Sequence, residues 1–128
     1  MDTTILVDKD IESGKILLEC LDHNGFDIKV ALWFFNPELN KWDFLLSSPS
    51  VDKKGARDLY VKIGDKMREI QGDINFTISN IVLLSYKHWL INLMKGALGT
   101  VGGISGIRFQ GNVINGVLIH DAYIYRLT

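Results

Sequence analysis

Ala56, Leu59, Ile63, Met67 and Ile70 recur at spacings of three, four, four and three, the repeat of one face of an α-helix. A helix with one apolar face cannot bury it alone. It needs a sheet or other helices beneath it. Ser50 or Asp52 is expected to cap this helix and Gly72 to close it near Gln71, because a side-chain oxygen satisfies the free N–H groups of the first turn.

The flanking sequence supplies the sheet. Phe26, Ile28, Val30, Leu32 and Phe34 alternate with Asp27, Lys29, Ala31, Trp33 and Phe35, which predicts a strand. Asn36 to Lys41 carries turn chemistry, and Trp42 to Ser48 reads as the antiparallel partner, ended by Pro49. Ile74 to Ile78 alternates over a short length. Ile81 to Leu84 is a continuous apolar run, as expected of a central strand covered on both faces. A first helix is expected over Asp8 to Asn24, with Gly14 as its weak point and Asn24-Gly25 as its stop. A last helix is expected over about Tyr86 to Lys95, capped by Ser85 and burying Trp89, Leu90, Leu93 and Met94. Ile107 to Gln110 and Val117 to Leu127 read as the final strands, with Gly111-Asn112 and Asn115-Gly116 flanking their connection. The order is α-β-β-α-β-α-β-β. It predicts an α+β fold: a mixed, mainly antiparallel sheet with helices packed on one side.

The chain has 128 residues, which fits a single domain over 1–128. Apolar residues make up 47%, enough to exclude a disordered chain. The net charge of −1 gives no global field for nucleic acid or anionic lipid, and no basic patch stands out, so no nucleic-acid partner is expected. The most apolar stretch, 81–107, contains Lys87, His88, Lys95 and several glycines, whereas a membrane span needs about 20 nearly uncharged residues. Met1-Asp2-Thr3-Thr4 shows no basic region ahead of an apolar run, as a leader would. The expected compartment is the cytoplasm.

Four segments are familiar together. They are Gly25-Phe26-Asp27-Ile28-Lys29-Val30-Ala31-Leu32-Trp33; Trp42 with Ser48-Pro49 and Val51-Asp52; Gly103-Ile104-Ser105-Gly106-Ile107-Arg108-Phe109; and Asp121-Ala122-Tyr123-Ile124-Tyr125-Arg126. From about Leu17 to the end, the chain resembles a group of small uncharacterised bacterial proteins. The resemblance implies a bacterial stand-alone protein and supplies no catalytic residue.

Candidate chemistry is sparse. Cys20, the single cysteine, lies three residues before His23, so the two share a helix face. With nothing else at metal-ligand spacing, a buried Cys beside an exposed His is the plainer reading, and neither a metal nor a cofactor is expected. The glycine-rich stretch Gly99–Gly106 precedes a strand, whereas phosphate loops precede a helix. Gly102 and Gly103 with Arg108, Tyr123 and Arg126 remain candidates for holding an anion or small molecule. Asp121, Tyr123 and Tyr125 share one strand face; His120 lies on the other. Trp33 and Phe35 point away from the side of Leu32 and Phe34, so both faces of the first hairpin are apolar. With helices on one side, the other face needs a lid, a ligand or a partner chain. Trp33, Phe35 and Leu45 are the interface candidates.

These features rank three functions. The first is a non-catalytic interaction or assembly module, self-associating as a homodimer. The second is a small-molecule or anion sensor using the glycine-rich stretch, Arg108 and Arg126. The third is a small enzyme with a polar cluster around His120, Asp121 and Tyr123.

Overall fold

The computed structural model describes residues 5–100 and 102–128. Residues 1–4, on which the expected lack of a leader rests, and Val101 of the glycine-rich stretch lie outside the described residues. The elements are α1 (Asp8–His23), β1 (Val30–Asn36), β2 (Lys41–Ser47), α2 (Pro49–Lys54), α3 (Ala56–Glu69), a 3-10 turn (Ile78–Asn80), β3 (Ile81–Leu84), α4 (Trp89–Ala97), β4 (Ile107–Ile114) and β5 (Val117–Leu127). The strands form one sheet in the order β3-β2-β1-β5-β4. Only the β2–β3 pair is parallel. The fold is α+β with the expected order of elements.

The long helix is divided. Gly55 has φ +85°, which a helix cannot continue through, so α2 stops there and α3 starts afresh. The cap is Ser48, whose hydroxyl accepts from the Ser50 amide at 3.3 Å, with Pro49 at the first helical position, where its missing N–H is harmless. Leu59, Ile63 and Met67 of the stripe are buried. They pack with α1 residues Leu17, Leu18 and Leu21 over Trp33, Phe44 and Leu46 in a first core.

The helices do not all lie on one side. Leu90, Ile91 and Met94 of α4 join Val30, Leu32, Leu45 and Ile124 in a second core on the opposite face. The physical reason is the strand pattern: β1 and β2 are apolar on both faces, and α4 is the lid for the second. Ile114 and Ile119, from the far half of the β4–β5 hairpin, join this core. α4 begins at Trp89, with His88 Nδ1 accepting from the Leu90 amide at 3.2 Å. Trp89 is therefore in the first turn and 60% exposed rather than buried.

β3 is an edge strand, not a central one. Its continuous apolar run reflects cover on both faces, not strands on both sides. Ile74–Ile78 forms no strand. Instead the Asn75 amide donates to Ser13 Oγ at 3.0 Å and the Asn75 side chain to Asp10 at 2.8 Å, tying this segment to α1. β4 runs on to Ile114, so Gly111 and Asn112 belong to the strand, and Asn115-Gly116 alone makes the turn with φ +47° and +81°, the signature of a two-residue type I′ hairpin.

Gly14 is not a weak point. A Cβ there would lie 2.7 Å from Phe44 and 2.8 Å from Trp33 Nε1, and would overlap the Tyr125 hydroxyl. Glycine lets α1 settle directly on the aromatic surface of the sheet.

Candidate functional site

The last strand carries the polar residues singled out in the sequence, and the sheet separates them into two groups. β5 pairs with β1 at Ala31↔Arg126 and then Leu32↔Ile124, so Tyr125 is an additional residue, a β-bulge. The Tyr125 hydroxyl reaches α1. Arg126, buried at 8% exposure, turns toward the C-terminal end of the same helix. Its Nε donates to Gly103 O at 2.8 Å. Nη1 donates to Asp22 at 2.9 Å and to Ile28 O at 3.1 Å, and Nη2 to Asp22 at 2.8 Å. These bonds engage all three guanidinium nitrogens. Arg126 is thus a latch joining β5, α1 and the glycine-rich stretch, with its bidentate face taken by Asp22.

The glycine-rich stretch is tied along β5. Thr100 N donates to Leu127 O at 3.0 Å, and Ser105 N to Tyr125 O at 2.7 Å. Gly102 and Gly103 are exposed, and Gly103, at φ +93°, presents its carbonyl to Arg126. A carbonyl turned toward a guanidinium is the opposite of an anion nest, which needs N–H groups turned toward the ligand.

The second group lies on the neighbouring rung. Arg108 of β4 sits opposite Tyr123 of β5 and pairs with Asp121 through two bonds of 2.6 and 2.5 Å. Hydrogen bonding to Asp121 raises the Arg108 pKa above its ordinary value, so the guanidinium keeps its charge. Gln110 donates to the same carboxylate at 3.3 Å, and the guanidinium lies 5.9 Å from the ring centre of Trp42. Tyr123 packs edge-on against Tyr125, with its hydroxyl where a Cβ on Gly106 would stand. Arg108, Asp121 and Tyr123 are brought together; Arg126 is not among them. His120 is exposed and, next to Asp121 on the strand, points to the other face. The carboxylate that a histidine base would need is already closed by Arg108.

Cys20 is half-buried and receives a 3.8 Å contact from the Asn24 amide, while His23 is exposed and bonds to Glu19 O. Among the described residues no group of three or more His, Cys, Asp and Glu side chains could hold a metal ion, and no helix is long and apolar enough to cross a membrane.

The expected interface residues fall inside the chain. Trp33 has no exposed surface and donates its indole N–H to Asp10 O at 3.2 Å. Phe35 is half-buried against the same core. Leu45 is buried on the opposite face, because it pairs with Leu32 while Trp33 pairs with Phe44. α1 covers one face and α4 the other, so this hairpin has no open aromatic side.

What remains open is an edge. The two ends of the sheet are treated differently. On β3, the Tyr60 hydroxyl of α3 accepts from Leu83 N at 2.9 Å and lies 3.4 Å from Ile81 O, closing the outward groups that a further strand would use. Tyr60 stands one residue off the buried stripe, and nothing in the sequence marks it for this task. β4 is the other terminal strand, eight residues long. The type I′ turn bonds Ile114 to Val117, so by antiparallel alternation Ile107, Phe109, Gly111 and Val113 turn their N–H and C=O groups outward. No family model, curated protein or solved structure matches the chain.

Proposed function

We propose that this chain is a non-catalytic assembly module that pairs with a second copy of itself through the β4 edge. The observation that carries this reading is the contrast between the two sheet edges: Tyr60 bonds to the outer side of β3, while β4 turns the backbone groups of Ile107, Phe109, Gly111 and Val113 outward. Edge strands of monomers are commonly guarded by lysines, prolines or a covering element. The one charge on β4, Arg108, is neutralised by Asp121 of its own chain, so nothing on this edge repels an identical strand. A self-complementary edge closes as a two-fold dimer, with antiparallel β4 strands joining two sheets. The sensor and enzyme readings are weaker, because carboxylates already occupy Arg126 and Arg108.

Sedimentation equilibrium from micromolar concentration upward tests the proposal. The expected mass is that of a dimer. Val113→Pro removes one outward N–H, leaves the bonds to β5 in place, and is expected to give a folded monomer. A wild-type monomer across the range, or a Val113→Pro variant with wild-type mass, overturns the proposal.

A further inference from the structure

A hollow of about 270 Å³ lies between the start of α2 and the link from β3 to α4, lined by Lys29, Pro49, Asp52, Lys53, Tyr86 and Lys87. It is independent of the β4 edge. Its floor is apolar: the proline ring, the tyrosine ring and the lysine stems, which carry their charge to the rim while covering apolar surface. The lining carries three lysines and one aspartate. Both Asp52 oxygens are engaged, one by Ser85 Oγ and the other by Tyr86 N at 3.3 Å. That carboxylate is therefore committed to the loop it braces. Lys29 pairs with Asp27 at 3.2 Å. Among the described residues Lys53 and Lys87 form no ion pair.

The aromatic wall is fixed in advance. The Tyr86 hydroxyl donates to Thr128 O at 2.6 Å. Lys95 bonds to the same hydroxyl, with its ammonium 4.3 Å from the ring centre, within cation–π range. A ring held at its hydroxyl and by a cation gives up little freedom when a ligand stacks on it, and pre-organisation of this kind raises affinity.

We propose that this hollow binds a small organic anion with a flat apolar body, of which an aromatic monocarboxylate is the simplest example. The volume lies just below the usual range for small-molecule pockets, about 300–1,000 Å³, which fits one or two fused rings. The rim selects the charge, and the floor selects the apolar body. A bare inorganic anion would gain the lysines but leave the apolar floor without a partner.

The test is an amide NMR titration of the full chain with 2-naphthoate, with neutral 2-naphthamide and with inorganic phosphate. The expected result is saturable shifts at Lys29, Asp52, Lys53, Tyr86 and Lys87 with 2-naphthoate, and binding about tenfold or more weaker for the other two probes. The double variant Lys53→Gln/Lys87→Gln, at two exposed positions, is expected to lose about tenfold in affinity for 2-naphthoate, while its own spectrum reports that it is folded. Absence of saturable shifts at these amides overturns the proposal, as does unchanged affinity in the double variant. Equal binding of the amide would show that the charge is irrelevant, and equal binding of phosphate that the apolar floor is; either result also overturns it.

Discussion

The Tyr125 hydroxyl donates to the carbonyl of Ile11 at 2.6 Å, a bond from the bulge of the last strand to the first helix. It forms because Gly14, in the next turn of α1, leaves room for the Tyr125 ring. In an isolated helix Gly14→Ala would stabilise by about 1 kcal/mol. Here the added methyl meets Phe44, Trp33 and Tyr125 at once, and overpacking a filled core costs about 1–3 kcal/mol. Gly14→Ala is expected to lower the urea midpoint; a raised midpoint would mean that α1 stands further from the sheet.

Burial pushes the Tyr125 hydroxyl above the ordinary phenol range. The unfolded chain therefore loses this proton first as pH rises. The stabilisation is fully present below about pH 10 and declines as pH climbs from there toward the folded-state pKa. Urea melts at pH 8 and pH 11 should show a larger alkaline loss for wild type than for Tyr125→Phe. Parallel losses would show that the phenol is not desolvated.

Tyr60→Phe removes the hydroxyl that closes the β3 edge. The expected loss of stability is about 0.5–1.5 kcal/mol, because water can reach this edge. The sharper readout is hydrogen exchange at the Leu83 amide, which should accelerate while exchange in β1 changes little. Unchanged exchange at Leu83 would contradict the assigned bond.

Arg126→Met breaks the latch between β5, Asp22 and Gly103. The carboxylate left behind is partly exposed at 34%, so the cost falls toward the lower end for buried charged pairs, about 2–3 kcal/mol. Faster exchange at the amides of Thr100 and Ser105 should accompany it. Retained protection there would mean that the glycine-rich stretch is held by its backbone bonds alone.

Trp33→Glu places a carboxylate in the first core, where no surface is exposed. The expected outcome is an unfolded chain by circular dichroism. A folded, soluble variant would show that this face is open after all.

The sequence was legible where one local pattern determines one structure. The Leu59–Ile63–Met67 face and the β1–β2 hairpin follow from spacing, and Asn115-Gly116 marks one end of the last connection by its backbone preference. It was less legible where the outcome depends on what lies across a gap. Trp33 and Leu45 are equally apolar in sequence, and only the placement of α1 on one face and α4 on the other shows that both are covered. Gly14 reads as a helix defect until Tyr125, far along the chain, is seen beneath it. Asp22 carries no mark of its pairing with Arg126, and an arginine already closed by a carboxylate looks the same in sequence as one waiting for a ligand. Nothing in the sequence joins Lys53 to Lys87; only the fold brings them to one hollow with Pro49 and Tyr86.

The position of β5 has a kinetic consequence. It is an interior strand, held between β1 and β4, yet it follows every other element in the chain. During synthesis, β3, β2 and β1 can assemble with α1 and α3 beneath them, but β1 keeps a bare flank until β5 emerges. β4 has no partner at all before then. One late insertion therefore turns a three-stranded intermediate into the finished sheet and seals the second core. Contacts this distant in sequence are slow to form. The interval before that insertion is when a nascent chain is most exposed to pairing with the wrong strand.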